Sequence, residues 1–284
     1  MAELPPVGAT GLNPAAARAA ETARPDRLFE DRLAGEFTAA YGFDPATAAE
    51  MSGPASLTGD IFALRTRFLD DVAGRAGCRQ AVIPAAGLDV RAYRLDWPAG
   101  TTLYEVDTEP VLAFKADVLA RVGSESRCVR TTVAADLRED WVGALVAAGF
   151  DPALPTVWLV EGLLGWLPPD AVERLLEQLH AASAPGSRIG LEQVFPAHFR
   201  SPVMRELYAR TGDDLSTLLP DGQGPEPARW LAGRGWHVSA TGVDELAAAL
   251  GRPVPPMFDP DLPGSSAFVG VPYLLVEAVR PEDS

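Results

Sequence analysis

The sequence predicts an α/β fold class with a doubly wound, mostly parallel β-sheet. Short apolar runs of strand length alternate along the chain with longer segments in which apolar residues recur at helical spacing. Strands that alternate with helices form parallel sheets joined by right-handed crossovers. Several of these runs also end at small or acidic residues, as strands do at a ligand-binding edge. Together the observations predict a ligand site at the carboxyl ends of the strands.

The N-terminal part of the chain is predicted to be helical. Residues 1–14 are rich in Pro and Gly, and we expect them to be loosely ordered. Helices are predicted over 14–22, 31–41 and 61–76. The first ends before Pro25, and the third carries Leu64, Phe68 and Val72 at helical spacing.

From residue 81 onward the sequence alternates between strands and helices. The predicted strands are 81–85, 102–106, 128–134, 156–160, 188–193, 236–240 and 271–279, the late part of the sheet being antiparallel. The predicted helices are 91–95 (a helix or a turn), 109–121, 139–149, 169–183, 227–234 and 243–250.

We predict a single domain over residues 1–284. Its parts are an N-terminal helical cap (1–76), a cofactor-binding core (77–194), a lid insertion (195–228) and C-terminal strands that complete the sheet (229–284). The lid is predicted from its density of Pro and Gly and from its length, because so long a connector is usually functional.

Composition excludes several classes of partner. The chain has 284 residues and a formal net charge of −15, whereas nucleic acids and anionic membranes bind basic faces. No apolar run approaches the roughly 18 residues of a membrane span, and no basic-then-apolar leader opens the sequence. Cys78 and Cys128, the only cysteines, lie in or beside predicted strands, where buried thiols are commoner than a metal pair. We expect a cytoplasmic protein without a metal.

Four strand ends carry small or acidic residues. They lie at 85–89, 105–107, 135–137 and 161–162, after the first four predicted strands. In an open parallel sheet these ends face one crevice, in which ligands bind. Because an unpaired buried acid is costly, acids that converge there favour a polyhydroxyl, amine or cationic ligand. A single strand-end acid is more commonly a turn or helix cap, but four in order favour a site.

The turn after the first strand distinguishes between nucleoside cofactors. A dinucleotide oxidoreductase needs a Gly-x-Gly-x-x-Gly turn that seats a pyrophosphate on a helix N-terminus. This turn has one glycine, Gly87, and Asp89 would repel a phosphate. Asp107 ends the second strand, where an acid binds ribose hydroxyls in nucleotide folds. The pattern favours a cofactor with a ribose, no phosphate and a positive centre, a description that S-adenosylmethionine fits.

The same segments carry a family resemblance. The motifs are RTRFLDD at 65–71, AAGLDVRAYRL at 85–95, YEVD at 104–107, ADL at 135–137, EGLL at 161–164, WLAGRGW at 230–236 and GRP at 251–253. In this order they resemble the class I S-adenosylmethionine-dependent methyltransferases of the leucine carboxyl methyltransferase group, and more closely its actinobacterial O-methyltransferase branch. The similarity runs from about Thr10 to the C-terminus. It implies a Rossmann-like fold and S-adenosylmethionine as the cofactor.

The resemblance implies roles for individual residues along the cofactor. Asp107 would accept both ribose hydroxyls, and Asp136, with the backbone of Leu137, would bind the adenine edge. Ala86 and Gly87 would lie against the methionine part.

The methionine end of the cofactor carries an amino group and a carboxylate, which are bound by an acidic and a basic side chain respectively. By the same resemblance, Glu161 would lie beside the methionine amino group. Arg67 would pair with the methionine carboxylate, because Arg suits bidentate pairing, and Arg18 is a second candidate. The alternative for Arg67 is a helix-surface ion pair with Asp70 or Asp71.

The acceptor is less well defined by the sequence. The family often has a Tyr where this chain has Trp166, which changes the pocket. His198, just past the fifth strand, is the candidate catalytic base, although an exposed loop histidine is the commoner case. A carboxylate acceptor needs no base, whereas a hydroxyl acceptor would give His198 or Tyr208 a role.

We therefore expect an O-methyltransferase that methylates a carboxylate or hydroxyl of a small molecule, such as a specialised metabolite. One alternative is an S-adenosylmethionine-binding protein on the same fold that does not transfer the methyl group. Another is a nicotinamide-dependent oxidoreductase, against which the single-glycine turn counts. The sequence does not predict an oligomeric state.

Overall fold

The computed structural model describes residues 4–43, 58, 60–194, 220–222, 224–258 and 273–282. The strands are β1 (Gln80–Pro84), β2 (Thr102–Asp107), β3 (Val129–Ala134), β4 (Thr156–Val160), β5 (Arg188–Gln193), β6 (His237–Gly242) and β7 (Leu274–Val279). They form one sheet in the order β3-β2-β1-β4-β5-β7-β6. Strands β1 to β5 pair in parallel, and β7 pairs antiparallel with β5 and β6. The predicted fold class, a mostly parallel doubly wound sheet with a late antiparallel strand, is confirmed.

Helices cover both faces of this sheet. They are α1 (Pro6–Ala9), α2 (Leu12–Thr22), α3 (Ala34–Tyr41), α4 (Ile61–Ala76), α5 (Arg91–Arg94), α6 (Glu109–Val122), α7 (Trp141–Ala147), α8 (Pro169–Ala181), α9 (Pro227–Ala232) and α10 (Val243–Ala249). Side chains of a strand alternate between its faces, and β1 shows the result. Val82 packs into one hydrophobic cluster, whereas Ala81 and Ile83 pack into another. A strand buried on both faces explains why β1 is apolar without alternation.

The central elements lie where the sequence predicts them. Strands β4 and β5 and helix α4 have the predicted bounds, β2 and β3 differ by one residue at one end, and β1 begins and ends one residue earlier than predicted. The peripheral strands differ more from the prediction. Strand β6 begins one residue later and ends two residues later than predicted, and β7 begins at Leu274 rather than at 271.

The expectation that residues 1–14 are loosely ordered is wrong for the part that the structure describes. This segment includes α1 and the start of α2. Leu4 and Leu12 are buried and pack in one cluster with Val111 and Phe114 of α6. Two leucines among many Pro and Gly residues are enough to hold the segment, because each buries apolar area against a helix of the core.

Helix α4 comes unusually close to the sheet at β5. A Cβ added to Gly190 would lie 2.9 Å from a methyl carbon of Leu69 and 3.1 Å from one of Val72. A residue with a side chain at this point would push α4 outward. The close packing matters because α4 also carries Arg65 to the edge at which the strands end.

Some predictions concern residues outside the described part of the chain. The predicted lid, 195–228, is described only for 220–222 and 224–228, so it stays a prediction. His198 and Tyr208 also lie outside the described residues. Within the described part, no helix is both long and apolar enough to cross a membrane.

Candidate functional site

The order of the strands reverses at β1, whose neighbours are β2 and β4, and the site is built at this point. The chain leaves β1 through a tight turn in which Ala85 has φ 51° and Gly87 has φ 46°. A left-handed alanine is uncommon and strained, and such strain clusters at functional sites. The Ala86 N–H donates to the Val106 carbonyl at 3.0 Å, which fixes the turn against β2.

Asp107, the last residue of β2, closes this turn. Its Oδ2 accepts the Gly87 N–H at 2.7 Å, and its Oδ1 accepts the Thr108 N–H at 2.7 Å. Burial raises the pKa of Asp107, and the two backbone hydrogen bonds and the charge of Lys115 oppose that rise. A carboxylate has about four lone-pair sites, so Asp107 keeps capacity for further donors.

Asp136 follows β3 and is more exposed. Its Oδ1 accepts the Arg138 N–H and the Arg138 Nε–H, both at 2.9 Å. The hydrogen bond from Arg138 lowers the pKa of Asp136 below its usual range. The neighbouring Leu137 packs against the main hydrophobic cluster, so the backbone at this point is anchored.

Glu161 follows β4 and lies between two arginines. Its Oε1 accepts from Arg65 Nε at 2.8 Å, and its Oε2 accepts from Arg91 Nη1 at 2.7 Å. Burial alone would raise the pKa of Glu161, but the charges of Arg91, Arg65 and Arg18 lower it well below its usual range. With both carboxylate oxygens paired and its pKa lowered, Glu161 is a poor proton acceptor.

The two arginines extend this pairing into a network. Arg91, of which 1% of the side chain is exposed, also donates from Nε to Asp70 Oδ1 at 2.8 Å and contacts Asp89. Since Asp89 is paired with Arg91, its charge is compensated, and the predicted repulsion of a phosphate by this residue is weaker than the sequence indicates. Arg94 completes the cluster by donating to Asp70 at 2.6 Å.

On its other side the network reaches β5 and β7. Arg65 Nη1 donates to Glu192 Oε2 at 2.9 Å, and Glu192 also accepts from the Gly162 N–H and the Tyr273 hydroxyl. The whole network comprises Arg65, Asp70, Asp89, Arg91, Arg94, Glu161, Glu192 and Tyr273. Apart from Glu161 and the strand-end acid Asp89, the sequence analysis assigned none of these residues to the cofactor site. The available signal was Glu192, an acid that is buried in β5 directly after the apolar residues Ile189 and Leu191.

Arg67 is not part of this network. Its Nε donates to both carboxylate oxygens of Asp71 at 3.0 Å, and its Nη1 donates to the Leu28 carbonyl at 3.1 Å. The ion-pair alternative for Arg67 is thus the one observed, and Arg65 makes the contact with Glu161. Residues two apart on a helix point in very different directions, at about 100° per residue, so Arg65 and Arg67 diverge.

Arg18, the second candidate for the cofactor carboxylate, lies beside the turn after β1. Its Nη2 donates to the Leu88 carbonyl at 2.8 Å, and its Nε donates to Asp31 at 2.8 Å. Its charge also acts on Glu161. The structure therefore places Arg18, rather than Arg67, next to the strand-end acids.

The two described histidines have no place in the site. His180 Nδ1 accepts from Trp236 Nε1 at 3.0 Å, and its ring packs edge-on against Trp230. His237 is exposed on β6, at the outer edge of the sheet.

Known proteins are similar to this chain in sequence or in fold. A relative from Rhodococcus jostii, named an S-adenosyl-L-methionine-dependent methyltransferase, is 46% identical over 88% of this chain and 89% of its own. One of the same description from Streptomyces avermitilis is 45% identical over 87% and 89%. A crystal structure described as a methyltransferase from Thermobifida fusca has a TM-score of 0.53 at 17% identity, over 93% of this chain and 94% of that chain.

The family model for leucine carboxyl methyltransferase matches residues 11–180, which is more than half of the chain. The matched region includes the turn after β1 and the acids that follow β2, β3 and β4. The chain therefore belongs to the leucine carboxyl methyltransferase family of S-adenosylmethionine-dependent methyltransferases.

Proposed function

We propose that this enzyme is an O-methyltransferase that methylates a carboxylate or a hydroxyl group of a small molecule, of the kind found among specialised metabolites. The observation that carries the proposal is the pairing of Glu161 with Arg65 and Arg91, because it leaves this part of the site without a proton acceptor. Methyl transfer to a carboxylate needs none, since that acceptor is already ionised.

The strand-end acids fit the parts of S-adenosylmethionine in order. Asp107 accepts the ribose hydroxyls with the lone pairs that Gly87 and Thr108 leave free. Asp136 and the backbone of Leu137 bind the adenine edge. Ala86 and Gly87 form the floor of the methionine part, where a turn of small residues allows a close approach.

The charge of the network supports a cationic ligand at the methionine end. Three arginines are matched there by four carboxylates, those of Asp70, Asp89, Glu161 and Glu192. The surplus negative charge favours the sulfonium and ammonium groups of the cofactor. Arg18 is the arginine best placed to pair with the methionine carboxylate, and we propose it for that role in place of Arg67.

When held by Asp107, Asp136 and the turn after β1, S-adenosylmethionine would supply an electrophilic methyl group to the acceptor oxygen and would leave as S-adenosylhomocysteine. What the chain contributes is alignment and exclusion of water. The network holds Glu161 and the turn after β1 in fixed positions, so the methionine part is bound in one orientation. A hydroxyl acceptor would add a proton transfer, for which His198 or Tyr208 would be the candidates.

The test has two stages. Mass spectrometry of the purified protein should show S-adenosylmethionine or S-adenosylhomocysteine, whereas a nicotinamide nucleotide would contradict the proposal. Paired acceptors with the same carbon skeleton, one a carboxylic acid and one an alcohol or phenol, are then incubated with S-adenosylmethionine. We expect a methyl ester, which mild alkali hydrolyses, and unchanged turnover in the His198→Ala variant.

An alkali-stable ether, together with loss of turnover in His198→Ala, would instead assign the hydroxyl class. Methylation on nitrogen, carbon or sulfur would contradict O-methylation altogether. Tight cofactor binding without any methylated product across a broad acceptor set would favour the non-methylating alternative.

A further inference from the structure

A buried ion cluster lies behind the candidate ribose-binding acid. Lys115 on α6 is the only lysine in the sequence, and none of its side chain is exposed. Its Nζ lies 2.8 Å from Glu105 Oε2 on β2. Arg130 on β3 donates from Nη2 to the same oxygen at 2.6 Å. Two cations thus share one carboxylate oxygen in the interior.

This cluster is not balanced within itself. Glu105 is fully buried, and its Oε1 has no hydrogen-bond partner among the described residues. Two positive charges against one negative charge leave a surplus of one positive charge. A buried ion pair is weak evidence for stability, because apolar residues of similar volume often serve as well. The surplus charge therefore calls for an explanation other than holding β2, β3 and α6 together.

Asp107 is the acid that this surplus charge reaches. Glu105 and Asp107 are two residues apart on β2, so their side chains leave the same face about 7 Å apart. Lys115 is among the groups whose charge acts on Asp107, whose hydrogen-bond donors are the N–H groups of Gly87 and Thr108 and, at 3.4 Å, the Thr108 hydroxyl. In the neighbouring turns, Asp89 is paired with Arg91, and Asp136 is paired with Arg138. With Asp107 ionised, the buried charges of the cluster and of Asp107 balance.

We propose that Lys115 is a positioning residue that keeps Asp107 ionised, and so able to accept both ribose hydroxyls of the cofactor. The proposal rests on the ribose role given to Asp107 above. Without Lys115, Glu105 and Arg130 form a neutral pair with no surplus positive charge, and the burial of Asp107 then favours its protonated form. A protonated carboxyl accepts fewer hydrogen bonds and binds the ribose less well.

The test is the pH dependence of S-adenosylhomocysteine affinity, measured by calorimetry from about pH 4.5 to about pH 8. Burial raises the pKa of Asp107, whereas the pKa values of Asp136 and Glu161 are lowered, so among these three acids Asp107 is expected to be protonated first as the pH falls. We expect affinity to fall on the acid side in the wild type. In Lys115→Met the midpoint of that fall should lie about one pH unit higher than in the wild type. In Lys115→Arg, which keeps the positive charge, it should be the same as in the wild type.

Two further variants separate positioning from a structural role. Glu105→Gln removes the acid that partly cancels Lys115, so its midpoint should move down, opposite to that of Lys115→Met. If Lys115→Met and Glu105→Gln both lose stability and neither moves the midpoint of the affinity curve, Lys115 is structural and the proposal is overturned. In Asp107→Asn the pH dependence should disappear with weaker binding, and an unchanged affinity in this variant would refute the ribose role itself.

A measurement on the unmutated side chain keeps the proposal testable if Lys115→Met does not fold. Because Lys115 is the only lysine, isotope-labelled lysine gives a single side-chain NMR signal that needs no assignment. We expect the chemical shift of this signal to change when Asp107 is protonated and when S-adenosylhomocysteine binds. In Asp107→Asn we expect neither change. A signal that ignores the protonation of Asp107 would overturn the proposal.

Discussion

The two ends of the candidate cofactor edge use acids in opposite ways. At the methionine end, which comprises Glu161, Glu192 and the arginines that pair with them, buried carboxylates are held by buried guanidinium groups. At the adenosine end, which comprises Asp107 and Asp136, the carboxylates meet main-chain N–H groups and one exposed arginine. The first arrangement leaves little hydrogen-bonding capacity but fixes geometry and charge. The second leaves lone pairs for a ligand. In the function proposed above, the acids at one end would thus act as a scaffold and those at the other end as binding groups.

The largest effect should come from breaking the scaffold. Arg91→Met leaves Asp70, Asp89 and Glu161 without their shared cation in the interior, and loss of one member of a buried pair typically costs about 3–5 kcal/mol. The free energy of unfolding, from urea titration, checks this. Arg138→Ala is the control. The ion pair of Arg138 with Asp136 is exposed, so its loss should leave the free energy of unfolding unchanged. Equal losses in the two variants would remove the distinction between the ends.

Stability should respond to pH with opposite signs at the two ends. The pKa of Glu161 is lowered on folding, so its charge stabilises the fold above its ordinary value of 4.5 and that contribution is lost as the pH falls. The pKa of Asp107 is raised on folding, so its charge opposes folding above the ordinary value of 3.8 and protonation relieves this.

Unfolding of the two amide variants from about pH 7 to about pH 3 tests these signs. The deficit of Glu161→Gln relative to wild type should shrink with falling pH, whereas Asp107→Asn should become less stable relative to wild type. Changes of the same sign in both variants would show that the two acids are not distinct in their electrostatics.

The arginine candidates for the methionine carboxylate can be separated by an analogue that lacks this group. Wild type should bind decarboxylated S-adenosylhomocysteine more weakly than S-adenosylhomocysteine by about 1.5–3 kcal/mol, the range for a hydrogen bond to a charged group. Arg18→Met should lose most of this preference, because Arg18 lies at the turn after β1 and its charge acts on Glu161, and Arg67→Met should keep it. A preference lost only in Arg67→Met would restore the sequence-based choice.

The smallest expected effect concerns the adenine. Asp136 is partly exposed and shared with Arg138, so Asp136→Ala should weaken S-adenosylhomocysteine binding by about 1 kcal/mol. The variant should also discriminate less between adenine and hypoxanthine forms of the ligand, which differ at the exocyclic amino group. Competition binding measures both quantities. Undiminished discrimination in Asp136→Ala would place the adenine elsewhere.

Much of this fold is readable from local pattern. The bounds of β4, β5 and α4 follow from apolar runs and helical spacing, and the positions of Asp107, Asp136 and Glu161 follow from their place at strand ends. These features depend on residues that are neighbours in the chain. The order of the motifs then indicates the family.

The pairing of the acids could not be predicted, because it depends on contacts between distant segments. Arg65 and Glu161 are 96 positions apart, and Arg65 and Glu192 are 127 apart. Helical spacing places Arg65 on the same face of α4 as Leu69 and Val72, but it does not identify the carboxylates with which Arg65 pairs. The order in the first residues of the chain was missed for a similar reason, since Leu4 and Leu12 are held by α6.

The central claim is that the adenosine end binds the cofactor through Asp107. Calorimetric titration of S-adenosylhomocysteine into wild type and Asp107→Ala at neutral pH tests it most directly. We expect the free energy of binding to weaken by about 1–3 kcal/mol in Asp107→Ala, the scale of lost polar pairing. Equal affinities for the two proteins would contradict it.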